Sequence, residues 1–147
     1  MNNITLVSKL DRFLADLPLD EWAGQLSAEA QADIADTRDF LLTYVNEMRV
    51  SFRLIEAEIA KEQRILEVGS GLCLLSFFLN KEGYNIVALE PALGGFELFE
   101  AAKKVISGHF SSIPLEILEC TAQQLDPAAH GRFDLIFSNN VLEHIPA

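Results

Sequence analysis

Basic residues are scarce in this sequence: 11 Lys and Arg stand against 22 Asp and Glu in 147 residues, a formal net charge of −11. The deficit is evenly spread. Residues 1–60 carry 11 acids and 5 bases, and residues 61–147 carry 11 acids and 6 bases. Neither part offers a basic footprint for a phosphate backbone, so a nucleic-acid partner is not expected. The acidic excess reads as solubility. Cysteine is nearly absent. Cys73 and Cys120 are the only two, too far apart for a short-spaced disulfide framework or a CxxC metal pair. A reducing, cytoplasmic setting is the expectation, with no metal centre. Long hydrophobic runs are missing as well. The apolar run Leu72–Leu79 falls far short of the roughly 20 residues that a membrane span needs. The N-terminal MNNITLVSKLDRF has no basic leader ahead of an apolar stretch, so a signal peptide is not expected. No internal repeat and no low-complexity tract is present.

Hydrophobic residues make up 50% of the chain, including ten Phe. That excludes a disordered chain and gives enough material for one domain with a core. Two regions differ in rhythm, and we divide the chain into residues 1–62 and 63–147. The first reads as helical. One segment runs from about Ile4 to Leu17 and stops at Pro18. Ser27 is taken as the N-cap of a second, long segment, with Glu29 in its first turn. Along it, Ile34, Leu41, Val45, Met48, Phe52, Ile55 and Ile59 step by 7, 4, 3, 4, 3 and 4, a single apolar stripe suited to packing on the following domain.

From Arg64 the rhythm becomes short apolar runs between turn signals. Strands are expected at Arg64–Val68, Tyr84–Leu89, Ile113–Glu119 and Phe133–Ser138. Helices are expected at Leu72–Lys81 and Phe96–Ile106, with another starting at Val141–Ile145. This alternation means a parallel sheet with crossover helices, an α/β fold. Its strands are continuous apolar runs, as they should be when both faces are covered.

Ligands of such sheets bind at the carboxyl ends of the strands, near the switch in strand order. There the first strand runs into Glu67-Val68-Gly69-Ser70-Gly71-Leu72-Cys73. Its glycines permit a tight turn and let backbone N–H groups come close to a ligand. A dinucleotide fingerprint counted from Gly69 fails, because Leu74 stands at the third glycine position. Counted from Glu67, acid-x-G-x-G-x-G fits, except that Cys73 replaces the last glycine. A helix N-terminus lowers a thiol pKa, so Cys73 is a minor candidate for a reactive thiol. The main reading is a small residue tolerated where backbones lie close. Cys120 reads as a buried small hydrophobe.

ILEVGSGLC resembles the first motif of class I S-adenosylmethionine-dependent methyltransferases, which have a Rossmann-like fold. VALEP resembles the second motif, LECTAQQL the third, and FDLIFSNNVLEHI the fourth, in the form common among small-molecule methyltransferases. Four motifs in order cover residues 64–146. The resemblance implies strand order 3-2-1-4 and S-adenosyl-L-methionine as cofactor. It places Gly69, Ser70 and Gly71 against the cofactor and gives Glu90 the ribose hydroxyls. Glu67 either anchors the turn and the cofactor's methionine amino group or simply bonds turn amides. Pro91 supplies an apolar face to the adenine. Thr121 stands where the family often holds an Asp for the adenine amino group, and the Ala122 backbone N–H meets the ring. Ser138, Asn139 and Asn140 lie beside the methionine part, with an Asn also suited to capping the next helix.

No catalytic residue is obligatory, since the sulfonium is already activated. Histidine is the residue type whose unperturbed pKa suits a general base near neutrality, which makes His144 the nearby candidate, although in the family the VLEH His supports loop and helix. Glu143 and His144 are not a metal pair. The acceptor is expected to be a small molecule bound by the N-terminal helices and by segments after the fourth strand. The complete family fold has seven strands and this sequence supplies four. We therefore expect a fragment of a longer enzyme, prone to self-association through an exposed sheet edge. A non-catalytic binding or scaffold module stays open as the alternative, favoured by Thr121 and Cys73. A nucleotide-dependent oxidoreductase is disfavoured by the failed dinucleotide pattern.

Overall fold

The computed structural model describes residues 4–91 and 97–139. Three helices come first: α1 (Leu6–Ala15), α2 (Leu19–Ala30) and α3 (Ile34–Ile55). The rest alternates as β1 (Arg64–Val68), α4 (Leu74–Lys81), β2 (Asn85–Leu89), α5 (Glu97–His109), β3 (Glu116–Leu118), a 3-10 turn (Ala122–Gln124), α6 (Pro127–His130) and β4 (Leu135–Ser138). All pairings are parallel and the order is β3-β2-β1-β4. The chain therefore has the expected Rossmann-like arrangement. The order reverses between β1 and β4, which puts the switch point beside the glycine turn.

The N-terminal region departs from its expected outline. Three helices stand where two segments were foreseen. Ser27 is not an N-cap; it lies in the last turn of α2 and its Oγ donates to the Ala32 carbonyl at 2.5 Å. Glu29 accordingly belongs to the end of α2. That helix stops at Gln31, whose φ of 52° takes the left-handed region. The true cap of α3 is Asp33, whose side chain accepts from Ala35 N at 2.8 Å and Asp36 N at 3.2 Å. Ile34 is 55% exposed and off the stripe. Thr37 takes that buried place, with its hydroxyl donating to Asp33 O. Ile59 lies beyond the helix end at Ile55.

Shorter corrections apply further on. α4 starts at Leu74 rather than Leu72, because Cys73 sits at its N-cap with φ 60°. β3 is only Glu116–Leu118, since Pro114 has no N–H for a ladder. The helix expected at Val141–Ile145 lies outside the described residues, as do Asn140, Glu143 and His144.

The central strands are buried on both faces, as their apolar runs implied. Ile65, Ile86 and Ala88 face the large cluster built with α1–α5. Leu66, Val68, Val87 and Leu89 face a smaller cluster closed by Leu118, Cys120, Ala122, Leu125 and Phe133. Aromatic rings join the N-terminal helices to the sheet layer. Phe13 of α1 lies 5.3 Å from Phe78 and 5.5 Å from Phe110, centroid to centroid. Phe52 of α3 lies 6.0 Å from Phe78, and Trp22 of α2 6.3 Å from Phe110. A Lys9–Glu82 ion pair at 2.6 Å adds a half-exposed polar tie between α1 and the end of α4, a contribution of under about 1 kcal/mol.

Candidate functional site: the glycine turn and Glu90

β1 delivers the chain to the switch point with Val68 paired to Leu89 on one side and Ser138 on the other. The turn then folds back on β2. Gly69 N and Ser70 N both donate to the Leu89 carbonyl, at 2.7 and 3.2 Å. Gly69, Gly71 and Cys73 all have positive φ, at 70°, 56° and 60°. For a residue with a Cβ this region costs about 1–2 kcal/mol, which is why glycine suits two of these positions and Cys73 carries strain.

Glu90, the residue after β2, reaches back across the turn. Its Oε2 accepts the Gly71 N–H at 2.8 Å. The two features that the sequence singles out thus meet at one point. Burial raises the Glu90 pKa, opposed by the Gly71 N–H and by Lys103 of α5, while Glu100 pushes it up further. The bond to Gly71 uses one carboxylate oxygen, and the other makes no hydrogen bond among the described residues.

Glu67 lies beneath the turn on the α4 side, 7% exposed. The Ser76 hydroxyl of α4 donates to its Oε2 at 2.5 Å. Burial pushes its pKa up to about 7, against the Ser76 bond and with a small push from Glu90. The turn amides do not bond to it among the described residues: Gly69 N and Ser70 N donate to the Leu89 carbonyl and Gly71 N to Glu90, while the donor to Glu67 is Ser76. Ser76 was legible in one respect: it is the single polar residue in Leu74–Leu79, and a buried acid needs a donor.

Cys73 is buried and its thiol is pushed up to about 12, chiefly by burial. The lowering expected from a helix N-terminus is therefore overruled. Ser70 Oγ lies 3.3 Å from Cys73 Sγ, so the Ser70 side chain closes the turn on itself.

The remaining predicted residues gather at the same end of the sheet. Glu90 N donates to Leu118 O at 3.1 Å, so β3 leads Thr121 and Ala122 to the neighbouring strand end. Gln124 Oε1 accepts both the Thr121 N–H at 2.8 Å and the Thr121 hydroxyl at 3.2 Å. Pro91 is half-buried directly after Glu90. Ser138 ends β4, and Asn139 spends its side-chain amide on Ser51 Oγ of α3 at 2.9 Å.

One contributor has no counterpart in the sequence motifs. A Cβ built on Gly71 would lie 3.1 Å from Tyr44 Cε1. α3 thus lays an aromatic ring on the glycine turn. Burial, then Glu47, then Glu90 push the Tyr44 pKa up to about 12, so its phenol is neutral. Among the described residues no group of three or more His, Cys, Asp and Glu is placed to hold a metal ion. No helix among them is long and apolar enough to cross a membrane.

This geometry agrees with what the chain is similar to. Residues 66–147, more than half of it, match the family model for a methyltransferase domain. The chain belongs to the methyltransferase domain family. The matched part of this methyltransferase domain begins inside β1 and takes in the glycine turn, Glu90 and β4, while the helices α1–α3 lie ahead of it. Two proteins of Mycobacterium tuberculosis are similar to it, each 41% identical over 81 residues. They are the uncharacterized protein MT1557 of strain CDC 1551 / Oshkosh and the uncharacterized protein Rv1509 of strain ATCC 25618 / H37Rv. In both cases the alignment takes 55% of this chain and 27% of the relative, so the chain matches about a quarter of the relatives' length.

Proposed function

We propose that this chain is the cofactor-binding part of an S-adenosylmethionine-dependent methyltransferase that acts on a small-molecule acceptor. The observation that carries the reading is the Gly71 N–H bond to Glu90 at 2.8 Å. It brings a glycine turn and a strand-end acid together at a topological switch point. The donor set fits an adenosyl ligand: free backbone curvature at the turn, a carboxylate with an oxygen to spare, and a second, buried carboxylate behind it.

In this reading Glu90 would hold the ribose hydroxyls, and the turn Gly69-Ser70-Gly71, whose N–H groups are spent on Leu89 O and Glu90, would serve by letting the nucleoside approach the backbone closely. Glu67, when ionised, offers a counter-charge for an ammonium group. Thr121 and Ala122 would take the adenine edge, with Pro91 as its apolar face, and Ser138 and Asn139 would border the methionine part. S-adenosylmethionine supplies a sulfonium-activated methyl group, open to direct displacement by a nucleophilic O, N, S or C of the acceptor. The chain's own work is then alignment and exclusion of water, worth several orders of magnitude in rate, and no base among the described residues is required. We place the protein in a reducing cytoplasm, in keeping with two free thiols. We also propose self-association through β4, which pairs only with β1 among the described residues and has Ile136 58% exposed.

A second reading, a non-catalytic binding or scaffold module, draws on Thr121. Its hydroxyl donates to Gln124 Oε1 and keeps its lone pairs, but it replaces a stronger carboxylate acceptor. Calorimetry with S-adenosylmethionine, S-adenosylhomocysteine and NAD tests both. Binding of S-adenosylhomocysteine that is lost in Glu90→Ala is expected. Binding of NAD alone overturns the proposal, and methyl transfer by this chain would exclude the scaffold.

A further inference from the structure

The glycine turn has a wall that the sequence motifs do not contain. α3 crosses the carboxyl ends of the two strands that flank the switch point. Tyr44 touches Gly71, after β1, and Ser51 bonds Asn139, after β4. Seven residues separate Tyr44 from Ser51, about two helical turns or roughly 10 Å, enough to span the two adjacent strands. Tyr44 is not alone. Phe40, one turn earlier on α3, lies 5.1 Å from its ring, and Phe99 of α5 lies 5.9 Å away on another side. All three rings are half-buried, so the packing does not consume them. The Tyr44 hydroxyl makes no hydrogen bond among the described residues, and burial first, then the charges of Glu47 and Glu90, keeps its proton on. An aromatic wall with one neutral donor, set beside a carboxylate and a glycine backbone, is the mixed lining that adenosyl-sized ligands need.

We propose that Tyr44 is a binding residue for the adenosyl ligand, its ring held by α3 against Gly71 as the wall of the pocket facing Glu90. The proposal rests on the methyltransferase reading of the site. It makes the N-terminal helices part of the donor pocket as well as of the core. Because the ring sits on the ligand's own turn, its removal opens the pocket without touching either carboxylate.

Two readouts on the full chain test this. Titration with S-adenosylhomocysteine compares wild type with Tyr44→Ala, Tyr44→Phe and Glu90→Ala. Tyr44→Ala is expected to weaken binding at least tenfold and Tyr44→Phe by no more than about threefold, an ordinary span for one buried aromatic contact. Should the alanine variant unfold, Tyr44→Leu takes its place. The second readout is fluorine NMR of protein labelled with 3-fluorotyrosine. There are two tyrosines, assigned by Tyr44→Phe. The Tyr44 resonance is expected to move on titration while that of Tyr84, at the opposite end of β2, stays. If wild type binds and Glu90→Ala does not, yet Tyr44→Ala binds within twofold of wild type or the Tyr44 resonance stays still, the inference fails and the methyltransferase reading stands. If wild type does not bind S-adenosylhomocysteine, both fall.

Discussion

Gly71 and Glu90 are 19 residues apart in sequence and are joined by an N–H···O bond of 2.8 Å. The carboxylate of the β2 end therefore fixes the shape of the β1 turn before any ligand arrives. A hydrogen bond to a charged group contributes about 1.5–3 kcal/mol. Glu90→Ala should lower stability by about that amount and weaken S-adenosylhomocysteine binding at least tenfold. Glu90→Gln, which keeps an acceptor for Gly71, should recover most of the stability but not the affinity. Urea unfolding and calorimetry on the two variants separate these effects.

Glu67 predicts a pH dependence with a definite sign. Burial raises its pKa from 4.5 to about 7, so the folded chain holds a proton that the unfolded chain releases. Stability contributed by this group is present below pH 4.5 and falls as pH rises to about 7. The loss is about 3 kcal/mol at most. Glu67→Gln, which can still accept from Ser76, should flatten that part of the curve. Denaturant unfolding at pH 5 and pH 8 is the measurement, and an unchanged slope in the variant would sink the assignment.

Cys73 should be inert despite its place at the start of α4. Its thiol stays protonated, with a pKa of about 12. With a thiol reagent at pH 8, the half-buried Cys120 is expected to react in the folded protein and Cys73 only on unfolding. Cys73→Gly should fall within about 1 kcal/mol of wild type, since relief of left-handed strain offsets the lost packing. Cys73→Val should cost at least about 2 kcal/mol, because a branched side chain tolerates that region poorly.

Gly71→Ala should destabilise by about 1–2 kcal/mol, from the left-handed backbone and the Tyr44 contact together. In the Tyr44→Ala background the penalty should shrink, leaving only the backbone part. A double-mutant cycle of thermal unfolding reads the coupling.

Ile136→Lys should suppress any self-association through β4 without loss of helical signal, because that side chain is already 58% exposed. Light scattering against concentration is the check; equal association by the variant would remove β4 as the contact.

The sheet was legible because its signals are local. Each strand is a short apolar run closed by a turn, and the glycines, Glu90 and Thr121 lie at fixed places in motifs. The N-terminal helices were read less well. The division between α2 and α3 hangs on Gln31 in a left-handed conformation, which few residues adopt and which leaves no compositional mark. Asp33 and Ser27 are both ordinary cap residues, and only the fold shows which one caps. α2 could have been seen from Asp20 and Glu21 after Pro18, followed by Trp22, Ala23 and Leu26 on one face. Tyr44 was invisible for another reason. Its position next to the stripe says that it lies near the core, but not that the partner is a glycine 27 residues later.

The ring contacts among Phe13, Trp22, Phe52, Phe78 and Phe110 set a boundary that similarity alone would misplace. The family match opens at residue 66, yet α1–α3 shield the aromatic side of α4 and α5. A version trimmed to the matched region would lose the Phe13, Trp22 and Phe52 contacts to Phe78 and Phe110 and should aggregate. A soluble version is therefore expected to need α1–α3 in addition to the matched region.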